Sequence, residues 1–248
     1  MYRGAHSVLE RVGAADTADP TATWCFTGAQ HTVRTRQVPF THGSGNERHP
    51  DHSLTGGSLT MPGKAASATV RRPVKPPQAA ERLVWAVETL AVQPTDRLLE
   101  IGCGHGVAVS LVCEKLDGGS ITAIDRSPTM IAMARQRNAA CVAAGRALLQ
   151  TVSLHEADFG VARFDKVFAI RVGVFWRGEP ARELAVVKRC LAPEGRFYLV
   201  DDPPAANQAR NLIQQASVTL ENHGFTIQEV LTHALGPTTV VCVIAGST

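Results

Sequence analysis

No stretch of this sequence approaches the roughly 18 consecutive apolar residues that a membrane-spanning helix needs. The N-terminus also lacks the apolar core of a secretory signal, so no export is read and a cytoplasmic location is expected. The six cysteines (Cys25, Cys103, Cys113, Cys141, Cys190 and Cys242) include no CxxC pair. Their wide spacing argues against structural zinc, which needs close paired ligands, and against a disulfide framework. Reduced cysteines filling core space are expected instead. A histidine metal tract is missing too: five of the nine histidines (His6, His31, His42, His49, His52) are scattered through residues 1–60. No metal is expected.

A strongly charged folded domain is also absent. The net charge is +3. Residues 1–60 balance five basic against five acidic side chains, and residues 83–248 hold 15 basic and 16 acidic. The surplus lies in residues 61–82, where Lys64, Arg71, Arg72, Lys75 and Arg82 face Glu81 alone. A nucleic-acid enzyme usually carries a basic face on its folded domain. The distribution therefore argues against a nucleic-acid partner and for a small-molecule one.

What is present describes a globular chain, 44% hydrophobic and 19% charged over 248 residues. Residues 1–60 contain only twelve large apolar side chains and no sustained period, so they read as an extension without stable structure. Met61 is a candidate natural start. Residues 61–77, proline-rich and basic, read as a stiff linker or arm. From residue 78 to 248 the pattern becomes that of one folded domain. Ala80, Leu83, Val84, Val87 and Leu90 recur at helical spacing and predict a helix over 78–91. Strands are then expected at 97–101, 120–124, 147–154, 165–172, 196–200, 225–232 and 238–244. Helices are expected at 107–116, 128–144, 179–190 and 207–223. Strands separated by helices imply a parallel sheet, whereas the short connection 233–237 permits only an antiparallel pair. The expected architecture is α/β and Rossmann-like: seven strands, six parallel and one antiparallel, with helices on both faces.

The first domain strand runs into Gly102-Cys103-Gly104-His105-Gly106 and then a helix. Glycines there permit a tight turn and let a ligand approach the backbone. A dinucleotide fingerprint wants GxGxxG. Here the sixth position is Val107, and the pattern beginning at Glu100 is ExGxGxG. Asp125, at the end of the second strand, can accept hydrogen bonds from ribose hydroxyls, or cap the helix at Ser127-Pro128. Asp158 follows the third strand and can receive an adenine amino group while Phe159 packs on the ring; an ordinary loop acid is the competing reading. The fourth strand ends at Ile170-Arg171-Val172 with Trp176 beyond, facing any transferred group.

Four segments together resemble class I S-adenosylmethionine-dependent methyltransferases of the ubiquinone/menaquinone-methyltransferase-like type. They are the run from Leu98 to Gly106, the run from Ile124 to Ala134, Phe164-Asp165-Lys166-Val167-Phe168, and Leu191-Ala192-Pro193-Glu194-Gly195-Arg196. In the last, Glu194 replaces a usual glycine. The resemblance covers about residues 78–245 and implies S-adenosylmethionine as cofactor. It puts Glu100, Gly102, Cys103, Gly104 and Gly106 beside the methionine part, Asp125 on the ribose, and Arg126 and Met130 beside the adenosine. Asp158 and Phe159 take the adenine. Arg171 stands where the family often has a small or polar residue lining the site.

A hydroxyl acceptor would need a general base, for which His105, Asp201, Asp202 and His223 are candidates; His105 serves equally as a turn residue. Asp202-Pro203-Pro204 resembles the signature of amino-group methyltransferases, but it follows the fifth strand and ends in Ala205, so it reads as a turn. The competing functions are a non-catalytic cofactor-binding partner and, less well supported, a nicotinamide-dependent oxidoreductase. The acceptor is not identified by the sequence.

Overall fold

The computed structural model describes residues 8–11, 24–27, 32–37, 78–203, 206–236 and 238–247. Three short strands come first: β1 (Val8–Arg11), β2 (Trp24–Thr27) and β3 (Thr32–Gln37). Helix α1 (Gln78–Thr89) leads into β4 (Arg97–Ile101), α2 (Val107–Cys113), β5 (Ser120–Asp125), α3 (Pro128–Arg137), α4 (Ala139–Ala143) and β6 (Ala147–Thr151). A 3-10 turn, Leu154–Glu156, precedes β7 (Phe164–Ile170), α5 (Val174–Arg177), α6 (Ala181–Cys190), β8 (Leu191–Asp201), α7 (Ala206–Asn222), β9 (Phe225–Leu235) and β10 (Thr238–Ser247).

The strand order is β1-β2-β3-β9-β10-β8-β7-β4-β5-β6. Within β4 to β10, β10 is antiparallel to both neighbours and the other six strands run parallel. This is the expected seven-stranded arrangement. Residues 1–60 were not expected to add strands, yet β1, β2 and β3 extend the sheet past β9, with β3 parallel to β9. The rest of that segment, the linker 61–77 and Met61 lie outside the described residues.

Each central strand buries both faces, so its residues alternate between two cores. Leu99, Val167, Phe197 and Val243 pack under α6 and α7. Leu98, Phe168, Tyr198 and Cys242 pack under α1, α2 and α3. The sheet direction reverses its build-up between β4 and β7. That leaves a crevice at the carboxyl ends, where ligands of open α/β sheets bind.

Three expectations need correction. The helix expected over 128–144 breaks into α3 and α4 at Asn138, whose Nδ2 donates to the carbonyls of Ala134 and Gly106, each at 2.9 Å. An amide side chain that competes for backbone carbonyls is a poor continuation of a helix. The strand expected over 147–154 stops at Thr151, and the 3-10 turn takes its end. Finally, Cys113 and Cys141 are not reduced core fillers: they form a disulfide between α2 and α4, with Cα atoms 6.5 Å apart. The helices bring together two cysteines that stand 28 residues apart in the chain. Cys103, Cys190 and Cys242 are free and buried. No helix among the described residues is long and apolar enough to cross a membrane.

Candidate functional site

The glycine loop begins where β4 ends. The amides of Gly102 and Cys103 both donate to the Ile124 carbonyl, at 2.8 and 3.0 Å, which holds the loop against β5. Gly106 has φ +78° and starts α2. A Cβ there would lie 2.6 Å from Asn138 Nδ2 and 2.8 Å from the Ala134 Cβ, so packing alone requires glycine. Gly104 differs. Its φ is +51°, and a Cβ would meet nothing within 4 Å. Open space beside a left-handed glycine is what close ligand approach needs.

Asp125 joins two elements. Its Oδ2 accepts the Gly104 amide at 2.9 Å, and its Oδ1 accepts the Ser127 amide at 2.9 Å. Ser127 caps α3, its Oγ accepting the Met130 amide at 3.3 Å, and Pro128 opens the helix. Both Asp125 oxygens keep a free lone pair.

Two cavities meet at this loop. The first, about 520 Å³, is bordered by Glu100, Cys103, Gly104 and His105 on one side and by Arg82, Arg177, Asp201 and Asp202 on the other. The second, about 490 Å³, is bordered by Asp125, Arg126, Ser153, Leu154, His155 and Glu183. Gly102 and Arg171 border both. The two cavities therefore lie side by side, sharing Gly102 and Arg171 as a common wall.

Glu100 is buried on β4, and its Oε2 has no hydrogen-bond partner. Burial, helped by the Asp125 charge, pushes its carboxyl up to about 8. Burial also raises the Cys103 thiol well above its ordinary value, with Glu100 and Asp125 adding to the effect. The thiol is thus neutral and serves as a small apolar wall. Burial, partly offset by the Asp202 amide, holds Asp201 above the usual carboxylate range. Asp202 carries the site's ion pairs: Arg82 at 2.7 Å and Arg171 at 3.3 Å.

Several residues singled out from the sequence lie elsewhere. Met130, Asp158 and Phe159 border neither cavity. Asp158 Oδ1 accepts the Gly160 amide at 2.9 Å in an exposed turn, and Phe159 packs edge-on against Phe164, with centroids 5.3 Å apart. Val152, Ser153, Leu154 and His155 border the second cavity instead. Their signal was position alone, directly after the third strand. Reading that strand through Leu154 hid the sheet edge. His223 holds the Thr219 carbonyl at the end of α7, and Trp176 is buried; neither borders these cavities. Asp201, Asp202 and His105, candidates from the sequence, border the first cavity, and Arg82 and Arg177, which only topology could bring there, complete it. Among the described residues no cluster of potential ligands could hold a metal ion.

Comparison with known proteins agrees with this geometry. Residues 98–195 match the family model described as a methyltransferase domain. The ubiquinone/menaquinone biosynthesis C-methyltransferase of Geotalea daltonii is 29% identical over 118 residues, 47% of this chain and 50% of that protein. A putative methyltransferase of Bacillus subtilis is 27% identical over 128 residues, 52% of this chain and 69% of that protein. The chain thus spans only half the length of the Geotalea protein. Among solved structures, the [4+2]-cyclase SpnF superposes with a TM-score of 0.56 at 18% identity, covering 68% of this chain and 82% of that one. The magnesium protoporphyrin IX methyltransferase of Synechocystis, solved with bound S-adenosylmethionine, gives 0.53 at 18% identity, covering 69% and 79%. At such identities the likeness is one of fold, and a fold hosts more than one chemistry. Residues 98–195 thus resemble a methyltransferase domain in sequence, and the sheet shares the fold of solved S-adenosylmethionine-dependent methyltransferases.

Proposed function

We propose that the whole protein transfers a methyl group from S-adenosylmethionine to a small-molecule acceptor. One observation carries the reading. The open side of Gly104 borders the first cavity, and its amide is tied to Asp125, which borders the second, at the carboxyl edge of the sheet. The cofactor, when bound, supplies a methyl group already activated by the positive charge on sulfur. The chain's own task is alignment, which can account for a large part of a barrier reduction.

In this reading Glu100, Gly102, Cys103, Gly104 and Gly106 flank the methionine part. The buried Glu100 carboxyl, its Oε2 unpartnered, suits a cationic group nearby. Asp125 takes the ribose hydroxyls, Arg126 and Met130 lie beside the adenosine, and Asp158 and Phe159 serve the adenine side. Ser153, Leu154 and His155 join them there, a role supported by their place in the second cavity. Arg171 stands at the junction of cofactor and acceptor. If the acceptor is a hydroxyl, Asp201 is the favoured base, because Asp202 is already committed to two arginines. A cytoplasmic location belongs to the same reading; alkylation of Cys113 and Cys141 in intact cells would report whether that compartment holds them as thiols. The near-neutral domain supports a small acceptor over a nucleic acid.

Isothermal titration tests the reading. S-adenosylmethionine binding is expected, weakened tenfold or more by Asp125→Ala, with no binding of NADH. Tight NADH binding would overturn it in favour of an oxidoreductase.

A further inference from the structure

The first cavity contains more fixed positive charge than its role as a cofactor neighbour requires. Arg82, Arg171 and Arg177 all border it. A guanidinium does not lose its proton in a protein. Three carboxyl groups face them: Glu100, Asp201 and Asp202. Asp202 is already committed to Arg82 and Arg171. Glu100 keeps its proton at neutral pH because burial pushes it up to about 8. Burial raises the Asp201 carboxyl above its ordinary value, and its Oδ1 accepts the Asp202 amide at 2.9 Å.

The three arginines do not play the same part. Arg82 is buried at 9% exposure and belongs to the wall. Arg177 is exposed and has no ion pair within 4 Å among the described residues. The Arg171 side chain is 60% exposed, borders the cavity and pairs with Asp202 through Nε at 3.3 Å. Arg171 is also held at φ +58°, in the left-handed region that non-glycine residues rarely adopt. That conformation is fixed from behind, by its amide donating to the Val200 carbonyl at 2.9 Å. The backbone is thus held in the left-handed region at a non-glycine residue that borders both cavities.

We propose that the first cavity is an oxyanion subsite. The methyl acceptor carries a carboxylate or phosphate, and that group is seated on the guanidiniums of Arg171 and Arg177. Planar guanidinium forks match such oxyanions in two-point fashion. The inference rests on the methyl-transfer reading and deepens it. Arg82 and Arg171 share the one Asp202 carboxylate and Arg177 pairs with none among the described residues, so this lining repels a cation and an anionic acceptor supplies the missing counter-charge. A cationic amine acceptor would meet the same repulsion, because the carboxylates are spoken for.

The test uses the full chain, with and without S-adenosylhomocysteine, titrated with benzoate, phenyl phosphate, benzyl alcohol and benzylamine. The two anions are expected to bind and the alcohol and amine not to. Arg171→Gln and Arg177→Gln should each weaken the anions about tenfold or more, the usual size for loss of a charged hydrogen bond. Arg177→Lys should retain part of the binding. For Arg177→Gln, S-adenosylhomocysteine affinity should change by less than about threefold. Equal binding of benzyl alcohol, a preference for benzylamine, or anion binding unchanged in both glutamine variants would overturn the proposal. So would a parallel loss of S-adenosylhomocysteine affinity in Arg177→Gln, which would assign the Arg177 guanidinium to the cofactor's own carboxylate. If the wild-type protein fails to bind S-adenosylhomocysteine, the methyl-transfer reading falls, while titration of the anions alone still decides whether the subsite exists.

Discussion

Glu100 is 3% exposed and its Oε2 has no partner, so the protein holds this carboxyl cheaply only while it keeps its proton. Its folded value of about 8 stands above the ordinary 4.5. Between those two values the folded state binds more protons than the unfolded one, so stability falls as pH rises through the window and levels off above about 8. Glu100→Gln removes this slope. Urea unfolding at pH 6, 7 and 8.5 should show the wild type losing stability with pH, on the order of a few kcal/mol, relative to the variant. Parallel curves would count against it. A cationic ligand beside Glu100 favours the ionised form. Binding of S-adenosylmethionine at pH 7 should therefore release a proton and tighten as pH rises toward 8. Titrations in two buffers of different ionisation enthalpy measure that proton directly. A second residue tells a simpler story. Glu194 adopts φ +62°, in the left-handed region that favours glycine. A left-handed non-glycine residue costs about 1–2 kcal/mol, part of which glycine's greater unfolded entropy cancels. Glu194→Gly should raise stability by about 0.5–1 kcal/mol in chemical denaturation.

At the scale of elements, α2 and α4 are tied twice to the glycine loop. Asn138, at the break between α3 and α4, holds the Gly106 carbonyl and the Ser110 hydroxyl, the latter at 2.8 Å. The Cys113–Cys141 disulfide then fixes the far end of α2. A cross-link closing a loop of 28 residues restricts the unfolded chain by about 3–4 kcal/mol in the loop-entropy treatment. Reduction should cost about that much in guanidinium unfolding, and a Cys113→Ser/Cys141→Ser protein should no longer respond to reductant. Much of this architecture was legible. Arg97–Ile101 came out with its bounds because a short apolar run flanked by turn residues has no other reading. The reversed β10 followed from a connection too short for a crossover. What was hidden depended on tertiary partners. Asn138 breaks a helix because Gly106, 32 residues earlier, offers it a carbonyl. The disulfide arises because two helices bring together cysteines 28 residues apart.

Across the whole molecule, α1 is the element that closes the first cavity, and long-range contacts hold it there. Trp85 stacks on His233 of β9 with ring centroids 5.8 Å apart. Arg82 reaches the end of β8, where it meets Asp202 across 120 residues of sequence. Both partners are largely buried, so removing one leaves an underpaired charge in the interior. Arg82→Met should therefore cost about 2–3 kcal/mol, somewhat below the range for fully buried pairs because Arg171 still touches Asp202. For a chain of this length that corresponds to a fall in melting temperature on the order of 5–10 °C. The double change Arg82→Met/Asp202→Leu removes the stranded charge as well and should recover part of the loss. If the double variant is no more stable than the single one, the pair is not what holds α1 in place. The ligand response separates the two cavities. Arg82 borders the first and not the second, where Asp125 lies. Saturating S-adenosylhomocysteine at about 100 times its dissociation constant should still stabilise Arg82→Met by about 2.7 kcal/mol, as it does the wild type. Benzoate or phenyl phosphate should stabilise it less than the wild type, because the wall behind their seat has loosened.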